Sequence, residues 1–130
     1  MSQVVSRVGN LDLVLDRPEE KTFWLHRNAY VAPEIFDREM DLLFRRGWFY
    51  VGHESQLPQP GDFLQVAPLG RSMLLCRDHG GQIRLFYNRC RHRGALVCTA
   101  KSGNRRTFVC PYHGWAYKNT GELSAVPDKE

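Results

Sequence analysis

Two short runs in this 130-residue chain carry the side chains best suited to chemistry: Cys90-Arg91-His92 and Cys110-Pro111-Tyr112-His113. Each run offers one thiolate and one imidazole. Seventeen residues separate His92 from Cys110, enough for an out-and-back excursion that sets the two pairs face to face. Two sulfurs and two nitrogens suit a [2Fe–2S] centre in which histidines replace two of the usual cysteines on one iron. The C-x-H and C-x-x-H spacings let each loop reach adjacent irons. On this reading Cys90 and Cys110 hold an outer, sulfur-ligated iron, while His92 and His113 hold the nitrogen-ligated one. A tetrahedral zinc ion accepts the same four side chains. Zinc sites more often keep like ligands together, whereas here Cys and His alternate. Gly94 and Gly114 follow the histidines by two residues and one, and a residue without Cβ lets the backbone approach an inorganic sulfide closely. Pro111 stiffens the second loop. The balance favours iron and sulfide, with zinc as the competing occupant.

The other candidates are weaker. His26, His53 and His79 sit in unrelated contexts, with no carboxylate spaced to complete a facial triad, and none is proposed as a ligand. His53 reads as a strand-end residue and His79 as a turn residue. Cys76 and Cys98 lie beside apolar neighbours and read as small buried hydrophobes. No Ser-His-Asp grouping, phosphate-binding glycine loop or pair of carboxylates stands out.

The net charge of +4 conceals an asymmetry. From His79 to Gly121 there is no Asp or Glu, yet there are eight basic residues: Arg84, Arg89, Arg91, Arg93, Lys101, Arg105, Arg106 and Lys118. Basic residues among aromatics can bind nucleic acid. A metal centre in the same lobe favours another use, because arginines stabilise the charge gained on reduction and attract an acidic redox partner. We therefore expect no nucleic-acid partner. The opening residues carry charges throughout and form no long apolar run, so neither a signal peptide nor a membrane span is expected. Four cysteines in such a chain point to a reducing cytoplasm.

The elements that must position these residues read as mostly β. Residues 1–32 are taken as an N-terminal extension whose first 22 residues look irregular, with a short extended piece around Trp24. Residues 33–47 read as a lead-in helix: Pro33 opens it, Gly47 stops it, and Phe36, Met40, Leu43 and Phe44 share a core-covering face. Residues 48–130 form the cluster domain, with a cluster lobe over about 88–118. In that domain strands are expected at 48–52, 62–67, 73–77, 82–88, 106–109, 115–118 and 122–124, with turns at 78–81 and 119–121 and a bend at 102–104. Short strands at such intervals imply a small antiparallel β-sandwich with an inserted cluster-binding lobe.

The motifs Arg89-Cys90-Arg91-His92-Arg93-Gly94-Ala95 and Cys110-Pro111-Tyr112-His113-Gly114-Trp115-Ala116-Tyr117, with the lead-in RRGWFYVGHESQLPQPG from Arg45 to Gly61, resemble the N-terminal Rieske domain of the large (α) subunits of aromatic-ring-hydroxylating dioxygenases. The resemblance covers about residues 25–127. It implies a Rieske [2Fe–2S] cluster that takes electrons from a ferredoxin or a flavin/iron-sulfur reductase. His92 or His113 then passes them through a carboxylate to a mononuclear Fe(II) of a neighbouring large subunit. It also implies trimers of large subunits, often with a small β subunit. The family's second domain, which holds that iron through two histidines and a carboxylate, has no counterpart in these residues. A free-standing Rieske-type ferredoxin is the alternative. Ala95 and Tyr112 stand where respiratory-complex Rieske proteins carry a loop-joining disulfide, and Trp115 where they carry a serine. Tyr117 keeps a place from which its hydroxyl can reach a cysteine sulfur. Fewer hydrogen bonds to sulfur imply a potential of roughly −150 mV rather than +300 mV.

Overall fold

The computed structural model describes residues 3–8 and 11–127, and side chains from residue 12 onward. The chain divides into two compact units, residues 1–49 and 50–130.

In the first unit, strands β1 (Gln3–Val8), β2 (Leu11–Arg17) and β3 (Thr22–Leu25) form a three-stranded antiparallel sheet in that order. This corrects the irregular reading of residues 1–22, apart from residues 1, 2, 9 and 10, which lie outside the described residues. Leu11, Leu13 and Leu15 alternate with Asp12, Val14 and Asp16, a period-two pattern that the interspersed charges disguised. Helix α1 (Asn28–Val31) precedes α2 (Pro33–Glu39), which continues through a wider π-turn over Met40–Phe44. The expected apolar stripe does not form a covered face. Phe36, Leu43 and Phe44 are all exposed, and the π-turn over Met40–Phe44 takes Leu43 and Phe44 off the regular helical register that starts at Phe36.

The second unit carries two antiparallel sheets. Strands β4 (Asp62–Val66), β5 (Met73–Arg77), β6 (Ile83–Tyr87) and β7 (Ser102–Asn104) pair in the order β6-β5-β4-β7. Strands β8 (Thr107–Val109), β9 (Ala116–Lys118) and β10 (Leu123–Ala125) pair in the order β10-β9-β8. Two expectations fail. Trp48–Gly52 forms no strand, and Ser102–Asn104 is not a bend but an edge strand that satisfies the second side of β4. The hairpins on either side of Asp78–Gly81 and Asn119–Gly121 form as expected.

The two sheets share one core. Phe108 of β8 meets Phe63 of β4 edge-on at 5.2 Å and 86°, and meets Phe86 of β6 at 6.1 Å and 73°. Such aromatic pairs add stabilisation beyond their buried area. Leu74, Cys76, Val97 and Cys98 complete the cluster of buried side chains, and so do Cys90 and Cys110. The thiols proposed as ligands are thus part of the hydrophobic core. No helix among the described residues is long and apolar enough to cross a membrane.

Candidate metal centre

The first ligand loop leaves β6, and the second joins β8 to β9. Both close by the same pair of hydrogen bonds. In the first, the Cys90 N–H donates to the Ala95 carbonyl at 2.8 Å and the Gly94 N–H to the Cys90 carbonyl at 2.9 Å. In the second, the Cys110 N–H donates to the Trp115 carbonyl at 2.8 Å and the Gly114 N–H to the Cys110 carbonyl at 3.0 Å. Both glycines lie four residues after their cysteine with positive φ, +76° and +71°. That left-handed conformation is costly for any residue carrying a Cβ. The loops therefore share one backbone form, and the extra residue in C-x-x-H only shifts the imidazole one position along it.

This backbone brings the four candidate side chains together. Cys90 and Cys110 are buried and hydrogen-bonded to one another. His92 and His113 are exposed, with ring centroids 4.7 Å apart. Burial reverses the expected order: the sulfur end lies inside, against the core, and the nitrogen end faces outward. Trp115 stacks on His92 at 4.9 Å and 4°, and Tyr112 lies against His113 at 3.8 Å. All four cysteines are free thiols.

Hydrogen bonding prepares the sulfur end for negative charge. The Tyr117 hydroxyl lies 3.3 Å from Cys90 Sγ and accepts the Arg91 N–H at 3.0 Å. Burial pushes the Cys90 thiol up. The bonds from Tyr117, the His92 N–H, Cys110 and the Arg93 N–H outweigh that and hold it below the ordinary thiol range. The Tyr117 hydroxyl is itself pushed up, by burial and then by Cys90. Burial, then the neighbouring His113 and Arg93, lower His92 and favour the neutral imidazole a metal needs.

One residue of the site escaped the sequence reading. Asn88, fully buried, precedes the first loop and ties its two ends together. Its Nδ2 donates to the Cys98 carbonyl at 2.6 Å and to Ser72 Oγ at 3.2 Å. Its Oδ1 accepts the Val97 and Cys98 N–H groups at 3.1 and 2.9 Å. An Asn at a strand end usually signals only a turn, so the sequence offered no hint of this clamp. The other histidines make hydrogen bonds away from the ligand loops. Asn28 N–H donates to His26 Nδ1, Ser55 N–H to His53 Nδ1, and Asn119 Nδ2 lies 2.9 Å from His79 Nδ1. His53 caps a short 3₁₀ turn rather than ending a strand. Cys76 and Cys98 are buried as expected, and the Cys76 thiol is pushed up to about 11 by burial and by Asp78.

Among the described residues no group of three or more His, Cys, Asp or Glu side chains is placed to hold a single metal ion. A mixed-ligand [2Fe–2S] cluster takes only two protein ligands per iron, a thiolate pair and an imidazole pair, and these residues fit it.

Comparison with known proteins points the same way. Residues 47–130 match the Rieske [2Fe-2S] domain. The chain is 39% identical over 112 residues to biphenyl 2,3-dioxygenase subunit alpha of Rhodococcus jostii (strain RHA1), covering 86% of this chain and 24% of that protein. Among solved structures it is similar to naphthalene 1,2-dioxygenase from Rhodococcus sp. bound to indole, at 46% identity and a TM-score of 0.71, over 74% of this chain and 22% of that one. It is also similar to the apo form of a quaternary ammonium Rieske monooxygenase, at 31% identity and a TM-score of 0.74, over 78% of this chain and 30% of that one. The chain thus spans about a quarter of the length of the curated relatives it matches.

Proposed function

Since the chain belongs to the Rieske [2Fe–2S] domain family, we propose that it is the electron-entry part of an aromatic-ring-hydroxylating dioxygenase large subunit. The observation that carries this reading is the pair of exposed, contacting imidazoles above a pair of buried thiols. When bound, the cluster supplies a one-electron couple. Cys90 and Cys110 would hold its inner end and His92 and His113 its outer end. Tyr117 holds a proton toward the Cys90 sulfur, and Trp115 covers one face of His92. Residues 48–130 would constitute the domain, with residues 1–47 leading into it.

The electron is taken from a ferredoxin or a flavin/iron-sulfur reductase and passed by an outer imidazole to a mononuclear iron that these residues do not carry. Neighbouring large subunits, arranged as a trimer and joined in some members by a small β subunit, would supply that iron. Free thiols at all four cysteines suit a cytoplasmic protein. The biphenyl and naphthalene relatives are oxygenases rather than free carriers, which favours this reading over a free-standing ferredoxin. An aromatic substrate is the reading that those two dioxygenases support. Because a quaternary ammonium monooxygenase shares this domain as well, we assign the choice of substrate to residues outside it.

Spectroscopy tests the proposal. Purified chain should be red-brown, contain equal iron and acid-labile sulfide, and give a Rieske EPR signal on reduction. A colourless protein with one zinc per chain would overturn it. A redox titration should place the midpoint below zero, and a value well above zero would contradict the reading drawn from Ala95, Tyr112 and Trp115 in place of a loop-joining disulfide and a serine.

A further inference from the structure

The two ligand loops share one backbone form but close differently at the base. The second leaves β8 and returns on β9, and these strands pair through Val109↔Ala116, Phe108↔Tyr117 and Thr107↔Lys118. A sheet ladder therefore holds its two ends together. The first leaves β6 and returns through residues 95–101, where no strand forms before β7. One side chain, Asn88, takes the ladder's place. Its Oδ1 accepts the Val97 and Cys98 N–H groups, and its Nδ2 donates to the Cys98 carbonyl. Its backbone N–H donates to the Ser72 carbonyl at 3.0 Å. Ser72 Oγ accepts the second Nδ2 hydrogen and is itself held by Gln65 Nε2 at 3.0 Å. Both donors and both acceptor sites of the amide are thus used.

We propose, resting on the [2Fe–2S] reading of the site, that Asn88 is the positioning residue of the first ligand loop. It fixes where Cys90 and His92 stand relative to Cys110 and His113, and so how firmly a bound cluster is kept. Asn88 acts through backbone, as outer partners that orient metal ligands do. The residue is 1% exposed, so water cannot replace a bond that is lost. Few side chains meet these demands. Aspartate keeps the acceptors for Val97 and Cys98 but brings no hydrogen to the Cys98 carbonyl. Glutamine is one methylene too long for the space. A role confined to fold stability predicts lower melting alone. A positioning role predicts altered ligand geometry and a looser cluster while the fold is intact.

The test compares the cluster-loaded chain with Asn88→Asp, Ser72→Ala and a matched control, Asn119→Asp. Asn119 is also a buried amide, but it bonds the Arg105 carbonyl and His79, neither in a ligand loop. Cluster release into excess EDTA is followed by loss of visible absorbance, at a temperature where far-UV circular dichroism shows each variant folded. Asn88→Asp should release the cluster about ten- to a hundredfold faster. Its EPR signal on reduction should show shifted, broadened g-values. Ser72→Ala, which removes one acceptor from the amide and leaves the rest, should release it about fivefold faster. Asn119→Asp should change release less than about twofold and leave the EPR signal unaltered. Equal release from the two Asp variants, or an unshifted EPR signal in Asn88→Asp, would overturn the proposal. A folded Asn88→Asp chain that takes up no cluster supports it. If that variant does not fold, Ser72→Ala decides, and release within about twofold of the unaltered chain overturns it. An unaltered chain that never acquires the cluster would instead defeat the reading beneath the proposal.

Discussion

Tyr117 shows how much of the centre's behaviour is set by single atoms. Its oxygen is already occupied by the Arg91 N–H, which leaves its own proton for the Cys90 sulfur. A hydrogen bond to a ligand sulfur stabilises the reduced, more negative state. Tyr117→Phe should therefore lower the midpoint potential by about 40 mV, the one-electron equivalent of a hydrogen bond worth ~1 kcal/mol. Redox titration against an unchanged visible spectrum checks this. The four ligand candidates and Tyr117 were legible because their chemistry is carried by residue type and spacing. Asn88 was not, because its role depends on the Val97–Cys98 turn folding back over it, a contact nine and ten residues away. The depth of the thiols was equally hidden: spacing fixes which atoms meet, but only packing decides which end of the pair faces water.

The two ligand loops place the next constraint at the level of the element. Gly114→Ala should cost roughly 1–2 kcal/mol for the left-handed backbone alone. Its new Cβ would also press on Pro127 Cγ at 3.0 Å. Gly94→Ala meets only the Arg89 side chain, at 2.9 Å from Nε, and that chain can move aside. The Gly114 variant should show the lower iron content and the lower melting temperature of the two. At the β5–β6 turn, buried Asp78 accepts from Arg84 Nε at 2.8 Å and from the Gln82 N–H at 2.9 Å. The Arg84 bond, then the Gln82 N–H, hold its carboxyl below the ordinary aspartate value of 3.8. Its stabilising contribution is thus complete above the unfolded value and lost as pH falls through the folded one. Melting temperature should drop as pH is taken below about 4, and Asp78→Asn should flatten that drop. Hairpins with explicit turn residues were readable here. The Trp48–Gly52 segment misled, since strand propensity measures fit to a half-buried pleated surface. Trp48 and Tyr50, 103% and 79% exposed, have no such surface.

For the whole molecule, fold and cofactor site share one foundation. Phe108 joins the two sheets and packs in the same cluster as Cys90 and Cys110, the two thiols proposed as ligands. Phe108→Ala should cost about 3–5 kcal/mol, read as a lower denaturant midpoint, and should release the cluster at the same midpoint. The basic lobe was visible in composition, since residues 79–121 carry eight basic side chains and no acidic one. The contact between Cys90 and Cys110 has a consequence for the metal-free protein. An empty chain exposed to air offers oxygen a matched couple of sulfhydryls, which close into a cystine as two electrons and two protons pass to the oxidant. Thiol titration should then fall from four to two per chain, and later iron and sulfide should be refused until dithiothreitol reopens the bridge. Handling before assembly, as much as the assembly itself, therefore governs how many molecules become competent.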